Sequence, residues 1–214
     1  MKILSVNIAQ ARDVVIAGKA KKTGIYKEAV SRPATVTKKG LKGDNICNRK
    51  YHGGVDQAVY IYGSIDYDWW QKSLGRDIVP GTFGENLTIS DLESSTFSVG
   101  DRLLIDEVIL EVSAPRAPCS TFANKMADPT FVKKFKNAER PGLYCRVIRE
   151  GFISAGDQVT IKKYADPTIS ILEMFREEFD PVGTEEELRR YLAAPIAIRD
   201  RIKKEERLNK LLAD

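Results

Sequence analysis

Short apolar runs punctuated by glycine-containing turns fill most of the chain, and helical spacing takes over near its end. Ile3 to Ile8 reads as a first strand, carried by Ile3, Val6 and Ile8. Gly18 with the basic run Lys19 to Lys22 reads as a turn, and Gly24 to Lys27 as a return to extended chain. Ala34 to Thr37 is alternating and β-branched, which predicts a strand. Gly40 to Asp44 closes it in a turn. Val55 to Tyr62 alternates and predicts a buried strand. Ser64 to Leu74 carries Ile65, Tyr67, Trp69, Trp70 and Leu74, which predicts a short amphipathic helix with Ser64 as N-cap. Leu87 to Ile89 and Leu103 to Val112 read as two more strands. Thr121 to Phe135 has helical anchors at Phe122, Met126, Phe131, Val132 and Phe135, with a break at Pro129. Strand patterns return at Leu143 to Ile148 and Val159 to Ile161. Many short strands separated by turns at Gly43-Asp44, Gly100-Asp101 and Gly156-Asp157 predict a mostly β fold, a barrel with short peripheral helices.

The pattern changes at Ala165-Asp166-Pro167, so residues 1–164 are expected to form the β domain and 165–214 a three-helix segment. Ile171, Leu172, Phe175 and Phe179 share one helical face. Thr184 and Glu187 make a capping box before Leu188, Tyr191 and Leu192. The last helix opens at Pro195 and runs through Ile198, Ile202, Leu208, Leu211 and Leu212. Its interleaved charges read as a solvated face.

Composition narrows the function classes. The 214 residues carry a net charge of +4, with basic residues dispersed among acids, which argues against a nucleic-acid polymer as partner but permits phosphates. The three cysteines, Cys47, Cys119 and Cys145, form no CxxC pair and suit a reducing compartment. The first residues are too polar for a signal peptide or a membrane span. A cytoplasmic protein with no membrane association is the expectation.

Chemistry concentrates at Ser113-Ala114-Pro115-Arg116-Ala117-Pro118-Cys119-Ser120. Each proline removes a backbone N–H and fixes φ, so the sheet must end there in a stiff extended loop. Arg116 lies three residues before Cys119, and a nearby cation favours thiolate over thiol. The plain alternative is a small buried hydrophobe at a strand end, the usual fate of a free cysteine. Three further segments carry glycine together with polar groups: His52-Gly53-Gly54 with Asp56, Gly81 to Asn86, and Arg140 to Arg146. If the segments converge, Arg116, Arg140 and Arg146 could clamp a phosphate. No Ser/His/Asp arrangement for hydrolysis is visible.

Together, GLKGD (Gly40 to Asp44), HGGVDQAVY (His52 to Tyr60), GTFGENLT (Gly81 to Thr88), VGD (Val99 to Asp101), PRAPC (Pro115 to Cys119) and RPGLYCRVIREG (Arg140 to Gly151) resemble the MOSC family, named for the C-terminal domain of molybdenum cofactor sulfurase. The pattern is most similar to its YiiM-type branch, which adds a C-terminal three-helix segment. The resemblance implies a β-barrel that binds the molybdenum cofactor, a molybdopterin, with Cys119 as catalytic residue and sulfur ligand to molybdenum. It implies that Arg116, His52, Gly53, Gly54, Asp56, Gly84, Asn86, Arg140 and Arg146 line or support the cofactor pocket. The aminotransferase-like domain of full sulfurases is missing, so pyridoxal phosphate is not expected. The implied activity is reduction of N-hydroxylated compounds: base analogues, amidoximes and hydroxylamines. With no flavin, haem or iron–sulfur motif in the chain, the reductase reading needs a separate electron-donor protein. Two rivals stand beside it: a non-catalytic cofactor or sulfur carrier using a Cys119 persulfide, and a plain β-barrel interaction module. Oligomeric state is left open, a dimer included.

Overall fold

A computed structural model describes residues 1–16, 18–47 and 52–213. In chain order, the first part holds β1 (Ile3–Ile8), β2 (Arg12–Ile16), β3 (Lys19–Thr23), β4 (Glu28–Ala29), β5 (Ala34–Thr37) and β6 (Gly40–Leu41). The middle holds β7 (Val59–Gly63), α1 (Ser64–Leu74), β8 (Leu87–Ile89), β9 (Arg102–Ile105), β10 (Val108–Ala114), α2 (Ser120–Lys125) and α3 (Phe131–Ala138). The last part holds β11 (Leu143–Arg149), β12 (Gly151–Ile153), β13 (Thr160–Lys162), α4 (Ile171–Glu177), α5 (Glu185–Ala193) and α6 (Ile198–Ala213).

The main sheet has eight strands in the order β13-β9-β10-β11-β7-β8-β1-β4. Its pairs are antiparallel except β7–β8, which is parallel. A parallel pair needs a crossover, and α1 supplies it. Separate small sheets hold β12-β5-β6 and the hairpin β2-β3. The expected mostly β barrel is not what forms. Helix and strand take comparable shares of the chain, and the edge strands β13 and β4 do not pair with each other. The nearest approach to closure is where the start of β1 meets the segment before β13: Lys2 bridges Gln158, Ile3 N–H donates to the Asp157 carbonyl at 2.9 Å, and Gly156 N–H donates to the Ile3 carbonyl at 2.8 Å. Three local expectations also change. Lys19 to Lys22 is not a turn but strand β3, because it pairs residue for residue with β2. Leu103 to Val112 is a hairpin that turns at Asp106, whose φ of 47° is left-handed. Val55–Gln57 is a 3-10 turn, and the residue capping α1 is Gly63 rather than Ser64.

One core runs through the whole molecule. Tyr62 stacks on Phe83 at 4.2 Å, Trp70 stacks on Phe131 at 5.1 Å, and Phe122 and Phe135 meet edge to face at 5.2 Å. Ile171, Phe175 and Tyr191 from the C-terminal helices belong to the same buried cluster. The Thr184–Glu187 capping box forms as expected. Among the described residues no helix is long and apolar enough to cross a membrane.

The cysteine loop gets its direction from the sheet. Strand β10 lies between β9 and β11, and its register with β11 shifts between Val112 and Ala114. An irregularity of this kind bends a strand and re-aims the chain beyond it. Pro115 and Pro118 then keep the chain from pairing again, and Cys119 becomes the residue capping α2.

Candidate functional site

The Cys119 side chain is half-buried at the wall of a cavity of about 840 Å³. Burial alone would push its thiol upward. A hydrogen bond from His52, the Arg116 charge and the Phe122 N–H outweigh that, and together they bring the thiol from its ordinary 9.0 down to about 6. The greater part of the group is therefore thiolate at neutral pH.

Arg116 is 4% exposed. Its guanidinium donates to the Phe83 carbonyl and sits 4.5 Å from the Phe122 ring centre and 5.0 Å from that of Tyr60. Burial works against the charge, but Tyr60, Tyr144 and Cys119 favour it, so its pKa is raised and it stays a cation. Its Nε has no partner among the described residues. Gly84 makes this approach possible: a Cβ there would lie 2.9 Å from Ile25 Cγ1 and 3.4 Å from Arg116 Nη1. The loop that carries the Phe83 carbonyl is held by Glu85, which is fully buried. Glu85 Oε1 accepts from Tyr67 at 2.5 Å, Gly81 N–H at 2.6 Å and Thr88 at 2.8 Å. Burial nevertheless raises the Glu85 pKa.

Beside this sits a polar floor. Asn86 accepts from Tyr60 N–H at 3.1 Å and donates to Asp44 at 2.9 Å. Asp44 also pairs with Lys27, whose pKa burial lowers despite that partner. Gly24 and Asn45 also line the cavity, and they pack so closely that an added Cβ at Gly24 would lie 1.7 Å from the Asn45 carbonyl oxygen.

Of the residues singled out from sequence, Cys119, Arg116, His52, Gly53, Gly84 and Asn86 line this one cavity. Four go elsewhere. Arg140 reaches Asp66 at 2.8 Å and Glu93 at 3.2 Å, fastening α1 to the turn after β8. Asp56 and Arg146 pair at 2.9 Å and anchor the C-terminal helices: Asp56 accepts from Ile198 N–H at 2.8 Å, and Arg146 donates to the carbonyls of Pro195 and Ile196. Gly54 caps the 3-10 turn with a φ of 87° and lies off the lining. Sequence reasoning missed Lys21, Lys22, Thr23 and Lys27 on one side of the cavity. It also missed Glu178, Arg199, Asp200 and Lys203 on the C-terminal side. Asp44, Tyr60 and Tyr144 lay inside the motifs without a role. Nothing in the mixed charges of α6 distinguishes a cavity wall from a solvated face.

Among the described residues no group of three or more His, Cys, Asp or Glu side chains could hold a metal ion. A metal at Cys119 would need further donors from an organic ligand. The cavity fits such a ligand: it is large, it offers one ionised sulfur, and Arg116 Nε is buried without a partner beside it.

A family model described as the MOSC domain matches residues 48–160. The uncharacterized protein YflK of Bacillus subtilis (strain 168) is 31% identical over 169 residues, covering 79% of this chain and 76% of that protein. Protein YiiM of Escherichia coli (strain K12) is 29% identical, covering 70% of this chain and 68% of its own. A protein named Reductase from Gibberella moniliformis is 30% identical over 72% of this chain, which spans 28% of that longer protein. Among solved structures, YiiM from Geobacillus stearothermophilus superposes with a TM-score of 0.79 at 25% identity, covering 97% of this chain and 98% of that one.

Proposed function

Because the chain belongs to the MOSC domain family, we propose that it binds a molybdenum-containing pterin cofactor through Cys119 and reduces N-hydroxylated compounds, such as hydroxylaminopurine-type bases, amidoximes and hydroxylamines. The observation that carries the reading is the thiol itself: lowered to about 6 between His52 and Arg116, in the wall of a cavity large enough for cofactor and substrate. The name of the Gibberella relative, Reductase, agrees with the direction of the chemistry.

Converting N–OH to N–H takes two electrons and two protons and releases water. When bound at Cys119, a molybdenum cofactor would supply the two-electron change. The chain's own groups do the rest. Cys119 gives a soft anionic sulfur, the donor type a soft metal centre prefers. Arg116 holds that sulfur ionised and cannot itself lose a proton at working pH. His52 donates to Cys119 and holds the imidazole beside the thiolate. Asn86, Asp44 and Lys27 keep the floor rigid. Electrons come from a separate donor protein.

The test is metal and pterin analysis of full-length protein made in a cofactor-competent host, followed by turnover of an amidoxime with an electron donor. Wild type should carry both molybdenum and pterin and turn the substrate over. Cys119→Ala should lose the molybdenum and the activity. A Cys119→Ala protein that keeps both would remove the ligand role. Wild type that carries the cofactor but reduces nothing would mark a carrier, with the sulfur of Cys119 serving as a persulfide site.

A further inference from the structure

Most side chains around Cys119 are committed to one another. His52 donates to the thiolate, Arg116 donates to the Phe83 carbonyl, and Asp44 holds both Asn86 and Lys27. Tyr60 lines the cavity, but its hydroxyl donates to the Pro141 carbonyl at 2.9 Å. Two other lining residues have polar atoms with no such commitment. Tyr144, on β11, is 8% exposed, and its hydroxyl has no hydrogen-bond partner among the described residues. Gln57 ends the 3-10 turn before β7, and its Oε1 is buried without a partner. Buried polar groups are nearly always satisfied, so two left over in one cavity point to a ligand that satisfies both.

The fold brings the two residues together near the sulfur. Tyr144 stands opposite Ala114 in the β10–β11 register, where the cysteine loop departs. The Ser113 hydroxyl lies between the carbonyls of Asp56 and Tyr144, the latter at 3.0 Å. It thereby ties the turn that carries Gln57 to the strand that carries Tyr144. The Tyr144 and Tyr60 rings pack with centres 5.0 Å apart, and the Tyr60 ring in turn packs against Arg116. Burial raises the Tyr144 pKa; Arg116 and Arg199 oppose the rise and Cys119 adds to it. The phenol therefore stays protonated at neutral pH, a donor within electrostatic reach of the sulfur.

We infer that the Tyr144 hydroxyl donates to the oxygen of the substrate's N–OH group, while Gln57 Oε1 accepts from an N–H beside it. For the identity of the substrate this rests on the proposed function. Hydroxylamines, amidoximes and hydroxylaminopurines all carry an acceptor oxygen within a few atoms of an N–H. Their reduced products keep the N–H and lose the oxygen. Tyr144 is then a catalytic residue, a donor placed where negative charge develops as the oxygen departs. A buried donor left without its oxygen disfavours the product, so the contact that grips the substrate also helps the product leave.

The test uses cofactor-loaded, full-length protein and two near-isosteric variants, Tyr144→Phe and Gln57→Met. Neither the hydroxyl nor Oε1 has an internal partner, so both variants should keep the wild-type melting temperature and the wild-type molybdenum and pterin content. Without reductant, titration calorimetry should show benzamidoxime binding about fivefold more weakly to Tyr144→Phe. Benzamidine, which lacks the oxygen, should bind it no more weakly than it binds wild type. With an electron donor, kcat of Tyr144→Phe should fall about a hundredfold. Gln57→Met should weaken benzamidoxime and benzamidine alike, about fivefold, and raise KM more than it lowers kcat. A Tyr144→Phe protein that equals a working wild type overturns this inference alone. So does one that loses cofactor, melts early or weakens both ligands equally, since each marks a structural residue. Gln57→Met equal to wild type overturns the two-point contact. Wild type that reduces nothing defeats the reductase reading and this inference with it.

Discussion

At the residue scale, Cys119 has a thermodynamic signature that does not depend on catalysis. Its thiol drops from an ordinary 9.0 to about 6, burial being outweighed by His52 and Arg116. The folded protein therefore releases this proton at lower pH than the unfolded chain does. Stability gained from the thiolate is complete above about pH 9 and is lost as pH falls toward 6. In metal-free protein, the difference in unfolding free energy between wild type and Cys119→Ala should widen as pH rises through that window. A difference that stays flat would mean the sulfur is not held as an anion. The sequence offered Arg116 as the cause, three residues away. It did not show that His52 would arrive from a distant turn, because a lone histidine in a glycine-rich stretch carries no spacing signal. Glu85 is a second residue whose role only packing reveals. From the sequence it is a polar residue before a strand; in the fold it satisfies three buried donors with one oxygen. Glu85→Ala strands those donors and should cost roughly 3 kcal/mol, while Glu85→Gln, which keeps an acceptor oxygen, should cost less. Denaturant unfolding of the two variants checks the order.

At the element scale, the period of the pattern located most helices well. The break at Pro129, the capping box at Thr184 and the apolar face of α4 were all readable, since each has a local physical cause. The strands were less so. Lys19 to Lys22 has no apolar residue but one alanine, yet it forms β3 because β2 offers it a full ladder. Cross-strand pairing is a non-local choice that a run of lysines does not announce. The pair Asp56 and Arg146 shows the same limit. Both sit in motif segments and read as cofactor contacts, but they tie the start of α6 to the sheet. Asp56→Ala should leave Arg146 without its nearer carboxylate and release the Ile198 N–H. The expected loss is about 1–3 kcal/mol, with faster amide exchange at the first turn of α6 than elsewhere. Exchange that quickens in the cavity loops and not in α6 would contradict that anchoring role.

At the scale of the whole molecule, the residues that gather around the sulfur come from widely separated stretches: β3, the turn after β6, the loop before β8, the cysteine loop and α6. The family match, residues 48–160, contains the sulfur, its arginine and its histidine, but neither β3 nor α6. Strand count and turn spacing suggested a closed barrel. The sheet stays open, with β4 and β13 as separate edges, and the start of β1 meets the segment before β13 through the Lys2–Gln158 bridge and its flanking backbone hydrogen bonds. The last helices share its core, through Phe175 and Tyr191.

That division of the cavity resembles a vise. The matched stretch is one jaw, carrying the sulfur, its arginine and its histidine. The early hairpin and the final helix are two further jaws cut from separate cloth, so substitutions in either would reshape which guests are gripped without touching the reactive sulfur.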